Sequence, residues 1–201
     1  MPSGVVIAGG RSTRFGDADK AVADLAGTPM IRRVADRLSP VVDGLVVNCR
    51  PDQTSAIRDA LDGYDHPVTV AEDERPDEGP VAGIMTGLRA AGSAYAAVVA
   101  CDMPFLDPNF VAYLFGRARD HDAAVPRPDE WFQPIQAVYR AAPVAAACEA
   151  TLDGPDSRIV TMLDRVDAVT VGPEEVAAHA APDTFENLNT REEFEAAAER
   201  F

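Results

Sequence analysis

The chain has 201 residues, enough to enclose one full core and too few for two ordinary domains, so a single domain over 1–201 is expected. Its formal charge of −15, from 33 acidic against 18 basic residues, excludes the clustered Lys and Arg that binding a polyanion requires, and no nucleic-acid partner is expected. No apolar run approaches the roughly 18–20 residues of a membrane span, and Met1-Pro2-Ser3 enters the strand-like Gly4–Ala8 without a signal-peptide pattern, so a soluble cytoplasmic protein with no membrane partner is expected.

Short β-branched runs alternate with longer segments of helical period, the pattern of an α/β fold with a mostly parallel sheet. Val5–Ala8, Leu45–Asn48, Val68–Ala71 and Ala96–Ala100 read as buried strands. Between them, Thr28-Pro29 opens a helix running to Leu38, and Asp52 caps one running to Leu61. Further helices are predicted from Pro80 to Ala91 and from Asp107-Pro108 toward His121. The second half offers an extended Pro134–Arg140, an alanine-rich helix from Pro143 to Leu152 and an amphipathic piece over Ser157–Leu163. Thr190 and Glu193 have capping-box spacing and predict a last helix, with Leu188, Phe194 and Phe201 turned inward.

Cys49, Cys101 and Cys148 are odd in number and widely spaced, as reduced buried residues would be, and form no zinc pattern. Lys20 is the sole lysine among the basic residues. An acidic surface almost without lysine suits a high-salt cytoplasm, where screening confines self-repulsion to a few ångström.

Two sequence features carry chemistry. The first strand ends in Gly9-Gly10, where the backbone can turn sharply and offer amides to a ligand, and Arg11, Ser12, Thr13, Arg14 and Lys20 follow, able to converge on a polyphosphate. The loop matches neither a Walker A sequence nor the Rossmann dinucleotide fingerprint, and a plain glycine turn with solvated arginines would look similar. Asp102, in Cys101-Asp102-Met103-Pro104, stands at the carboxyl end of the fourth strand, where open α/β sheets bind ligands. A single carboxylate there suits Mg²⁺, which completes its shell with water and phosphate oxygens, with Mn²⁺ as a substitute; capping a turn before Pro104 is the simpler role.

The ordered segments Ile7-Ala8-Gly9-Gly10-x-Ser12-x-Arg14-Phe15-Gly16-x-x-Asp19-Lys20, Gly79-Pro80-Val81-Ala82-Gly83 and Cys101-Asp102-Met103-Pro104 closely resemble the motifs of the molybdenum cofactor guanylyltransferases. The likeness continues more loosely through Gln133-Pro134-Ile135, Arg158 and Asn187-Leu188-Asn189-Thr190. The resemblance implies a three-layer, Rossmann-like nucleotidyltransferase fold of glycosyltransferase-A type with a mostly parallel sheet. It implies transfer of GMP from GTP to the terminal phosphate of molybdopterin-bound molybdenum cofactor, with release of diphosphate. On that pattern Ile7, Ala8, Gly9, Gly10, Ser12, Asn48, Asp73 and Gly83 surround the nucleotide, Arg14 and Lys20 bind its phosphates, and Asp102 ligates the metal. Gln133, Arg158, Asn187 and Asn189 face the acceptor. Partners would be the two small-molecule substrates, with transient contact to molybdoenzymes or other cofactor-synthesis proteins.

A related nucleotidyltransferase of the same fold, acting with CTP or on a corrinoid or deazaflavin precursor, has similar motifs, and a non-catalytic nucleotide carrier is a further alternative. Trp131-Phe132 either stacks on a pterin or guanine ring or anchors its loop on the core. Arg158 has the alternative of a surface ion pair.

Overall fold

In a computed structural model of the chain, residues 2–10, 19–75 and 77–201 are described. The four predicted strands are present as β1 (Ser3–Ile7), β4 (Leu45–Cys49), β5 (Val68–Glu72) and β6 (Tyr95–Ala100), but β5, at the sheet edge, is half-exposed and not buried. Between β1 and β4, Asp24–Leu25 (β2) and Thr28–Pro29 (β3) form a small antiparallel hairpin. Its turn places Ala26 and Gly27 at φ 52° and 81°. Thr28-Pro29 therefore belongs to the hairpin, and the predicted helix begins at Met30 as α1 (Met30–Leu38).

β7 (Ala123–Pro126), β8 (Gln136–Arg140) and β9 (Ala168–Val171) complete a seven-stranded sheet of order β5-β4-β1-β6-β8-β7-β9. Only β8 runs against the others, so the sheet is mostly parallel as expected. Side chains alternate across a strand, and here both faces are covered. Val6, Val47 and Val99 pack under α1, α2 (Thr54–Ala60), α4 (Pro108–Arg117) and α7 (Pro173–His179). Val5, Val46 and Val98 pack under α3 (Pro80–Ala90), α5 (Ala141–Leu152) and α6 (Ile159–Leu163). The result is the three-layer architecture.

The start of α2 also differs from the sequence reading, as do those of α5, at Ala141 in place of Pro143, and α6, at Ile159 in place of Ser157. Pro51–Gln53 is a 3₁₀ turn and α2 begins at Thr54, because the Asp52 carboxylate pairs with Arg50 instead of capping the helix. α4 starts as predicted, with Asp107 accepting from the Asn109 amide. The last helix, α8 (Arg191–Ala198), carries its capping box, Thr190 Oγ1 accepting from the Glu193 amide and the Glu193 carboxylate from the Thr190 amide. Leu188 and Phe194 are buried, whereas Phe201 is 46% exposed, stacked on Phe105 at 5.2 Å beneath the Arg33 guanidinium. Cys49, Cys101 and Cys148 are free and buried, and burial raises all three thiol pKa values.

α3 lies so close to β1 that a Cβ at Gly87 would overlap Val5 Cγ1. Valine is stiff at χ1 and cannot swing away, and overpacking of this kind costs about 1–3 kcal/mol against the ~1 kcal/mol that alanine gains over glycine in a helix. Gly87→Ala is therefore expected to lower the urea midpoint of unfolding. In a Val5→Ala background the same change should be neutral or stabilising; a penalty that persists there would place the strain elsewhere.

Candidate active site

The sheet order turns at β1: the chain moves outward through β4 and β5, then returns to the other side with β6. Loops leaving the carboxyl ends of strands diverge at such a point and leave a crevice. A pocket of about 570 Å³ occupies it. Of the residues singled out in the sequence, Ile7, Ala8, Gly9, Gly10, Lys20, Asn48, Asp73, Gly83, Asp102 and Asn189 line it. Ser12 and Arg14 lie outside the described residues.

Lys20 begins a 3₁₀ turn, Lys20–Val22, capped by Asp19. Although a lysine, it is only 8% exposed, and Nζ donates to Asp102 Oδ2 at 2.6 Å and to Asn189 Oδ1 at 3.1 Å. An ammonium has three protons, and among the described residues two of them are taken, on a side chain that lines the pocket. Asp102 Oδ1 is buried without a hydrogen-bond partner among the described residues, and an unpaired buried carboxylate oxygen is costly enough to call for an occupant. Asn189 arrives from far along the chain, on a strap fixed where the Leu188 amide donates to the Asp102 carbonyl at 3.0 Å. The amides of Asn189 and Thr190 converge on Glu193 and hold its carboxyl below the usual range, which locks the strap to α8.

On the opposite wall, Asn48 Nδ2 donates to Asp73 Oδ1 at 2.6 Å, while buried Asn48 Oδ1 has no partner among the described residues. A Cβ at Gly83 would come within 2.6 Å of that oxygen, and one at Gly9 within 2.6 Å of Asp73 Oδ2. Both glycines thus keep room for the polar atoms of two residues that line the pocket. Burial raises the Asp73 pKa above its ordinary 3.8, with the Asn48 hydrogen bond and the Arg50 charge opposing the shift. A raised carboxyl favours the protonated native state: its contribution to stability is present below the unfolded pKa and lost as pH rises through the folded one. Neutral pH therefore carries the cost of ionised Asp73. Asp73→Asn is expected to raise the apo melting temperature, relative to the unaltered chain, more at pH 7 than at pH 4; an equal difference at both would contradict the shift.

The other three acceptor candidates lie outside the pocket lining. Gln133 is half-buried, its amide donating to the Pro126 carbonyl at 2.8 Å. Arg158, its side chain 75% exposed, pairs with Asp156 at 2.7 Å, and Asn187 is exposed, donating to the Phe185 carbonyl. Trp131 is 72% exposed and anchors nothing; Phe132 takes that part, packed on the core beneath the Arg127 guanidinium. The sequence reading passed over Arg75 and Asp77, which line the pocket, and over Arg50 and Gln53, which hold the glycine loop. Four polar or turn-forming residues, Arg50-Pro51-Asp52-Gln53, directly after the end of β4 were the available signal.

Residues 4–169 match the MobA-like NTP transferase domain. A probable molybdenum cofactor guanylyltransferase of Natronomonas pharaonis is 53% identical, the alignment covering 98% of this chain and 97% of the relative. One from Haloferax mediterranei is 39% identical, covering 98% and 93%. The crystal structure of molybdopterin-guanine dinucleotide biosynthesis protein A from Archaeoglobus fulgidus aligns with a TM-score of 0.78 at 26% identity, covering 100% of this chain and 98% of that one. Sheet order, pocket position and sequence agree, and the chain belongs to the MobA-like NTP transferase family.

Proposed function

We propose that the chain transfers GMP from GTP to the terminal phosphate of molybdopterin-bound molybdenum cofactor, forming the guanine dinucleotide cofactor and diphosphate. The observation that carries this reading is the Lys20–Asp102 pair, set in a pocket beside Gly9-Gly10 with one carboxylate oxygen that has no partner among the described residues. The names of the relatives from Natronomonas and Haloferax supply the base and the acceptor.

A phosphate monoester is ionised near neutral pH and needs no general base; the reaction demands in-line placement and neutralisation of charge on the α-phosphate and departing diphosphate. The Lys20 ammonium answers part of that demand, while Asn48 and Asp73 supply polar groups on the nucleoside side. Mg²⁺ needs only one or two carboxylates from the protein, because phosphate oxygens and water complete its shell. Asp102 Oδ1, buried and without a partner among the described residues, would hold Mg²⁺, or Mn²⁺ in its place. When bound, the ion supplies positive charge to the phosphates. Asn189 stands between Lys20 and the acceptor side; Gln133, Arg158 and Asn187 would complete that side if the acceptor reaches over the rim.

The test is turnover with each of the four nucleoside triphosphates, Mg²⁺ and molybdopterin cofactor. Dinucleotide is expected from GTP, and comparable turnover with CTP would overturn the base assignment. No helix among the described residues is long and apolar enough to cross a membrane. With a charge of −15, a high-salt cytoplasm is the proposed setting, and the melting temperature should rise from dilute buffer to molar KCl; a flat response would count against it.

A further inference from the structure

The turn after β4 captures three consecutive main-chain carbonyls of the glycine loop. Gln53, 2% exposed, donates through Nε2 to the Ala8 carbonyl at 3.1 Å and to Asp19 Oδ2 at 2.7 Å, while its Oε1 accepts from the Arg50 amide at 3.0 Å. Arg50 Nη1 donates to the carbonyls of Gly9 and Gly10 at 3.1 and 2.8 Å, and its Nε and Nη2 rest on the Asp52 carboxylate at 3.1 and 3.4 Å. A trans peptide points its C=O and the following N–H in opposite directions, and no cis bond occurs among the described residues.

Drawing the Ala8 and Gly9 carbonyls toward Arg50 and Gln53 therefore sends the Gly9 and Gly10 amides the other way. Neither amide donates to another described residue, and both glycines line the pocket. Asp19, gripped by Gln53 through one oxygen, receives the Ala21 amide on the other at 3.0 Å and so seats the turn that presents Lys20. One turn orients both the loop amides and the lysine.

We propose that Arg50 and Gln53 are positioning residues that set the polarity of a polyphosphate cradle, a role that rests on reading the pocket as a nucleotide site. Without them the Gly9 and Gly10 peptides can rotate and turn carbonyl oxygens, which repel phosphate, toward the ligand. Arg50 suits the task because its guanidinium serves two carbonyls and a carboxylate at once, a geometry that a lysine ammonium does not reproduce.

The probe is inorganic tripolyphosphate, bound to the full chain and followed by calorimetry, which depends on neither base nor acceptor. Arg50→Ala is expected to weaken binding by about tenfold or more, as the loss of two hydrogen bonds to the loop implies. Millimolar guanidinium should restore much of it. Gln53→Glu can donate only while its new carboxyl is protonated, so its affinity relative to the unaltered chain should fall as pH rises, giving a slope absent from the unaltered protein. Unchanged binding in Arg50→Ala, a loss that guanidinium does not repair, or a Gln53→Glu ratio independent of pH would overturn the proposal. So would failure of the unaltered chain to bind tripolyphosphate. An error in the GTP assignment would appear instead in the four-nucleotide comparison, leaving the tripolyphosphate results intact.

Discussion

Lys20→Ala should lower turnover by about 10²–10³, the usual cost of removing one strong donor from charge developing in a transition state. The expectation rests on the Lys20 geometry. The side chain is almost sealed from solvent, and Nζ is fixed by Asp102 and Asn189 with one proton left over among the described residues, so it reaches the reaction already oriented. Water entering the vacated space is mobile and uncharged and cannot take over. The effect should fall on kcat more than on KM, because charge builds up on the departing diphosphate only as the bond to the α-phosphorus breaks. A steady-state comparison reads this split, and a rate equal to that of the unaltered chain would remove Lys20 from the mechanism. The substitution also strands the Asp102 carboxylate, so some loss of stability is expected, below the ~3–5 kcal/mol of a fully sealed pair because the site opens on a pocket.

Asp102→Asn is the companion case, with a similar expected loss of about 10²–10³ in turnover. Asparagine keeps the size of the side chain and can still accept from Lys20, but it removes the negative charge that Asp102 Oδ1 would direct at a cation. The signature is in the metal titration: the variant should need far more Mg²⁺ to reach half of its own maximal rate. An unaltered Mg²⁺ requirement would show that Asp102 is not the ligand. Because the lysine and aspartate share one hydrogen bond, their effects should not add, and the double variant should lose less than the product of the single losses.

β1, β4 and β6 could be read from the sequence because strands buried on both faces appear as continuous β-branched or small apolar runs, and β5, a half-exposed edge strand, through its β-branched Val68-Thr69-Val70. β7 and β9 could not: each has four residues, one of them ends in Pro126, and neither stands out from its surroundings without a neighbour to pair with. α7 did offer a signal, Pro173 at its first position followed by Glu174 and Glu175 in the first turn, and the reading passed over it.

In the site, Gly9, Gly10 and Asp102 were legible because they directly follow buried strands. Asn48 is the next-to-last residue of β4 and entered through the family resemblance. For Arg50 and Gln53 the polar turn was legible but the role was not, since their partners are loop carbonyls 40 to 45 residues earlier, and no periodicity displays a side chain that serves another segment's backbone. Asp52 misled for a related reason: it has the composition of a helix cap, but a guanidinium nearby competes for it. The approach of Asn189 to Lys20, across 169 positions, depends on the strap at Leu188, which only the folded chain reveals.

The isolation of Lys20 also makes it a built-in reporter. Reagents that acylate amines would find a single side-chain target in the whole sequence, nearly covered and held by a carboxylate. Once peptide mapping has set aside the α-amine at the start of the chain, one added mass would mark one side chain, and the speed at which that mass appears would measure how often the lysine leaves its partners. A ligand that occupies the crevice would slow the labelling, so occupancy could be followed by mass spectrometry without engineering a probe into the protein.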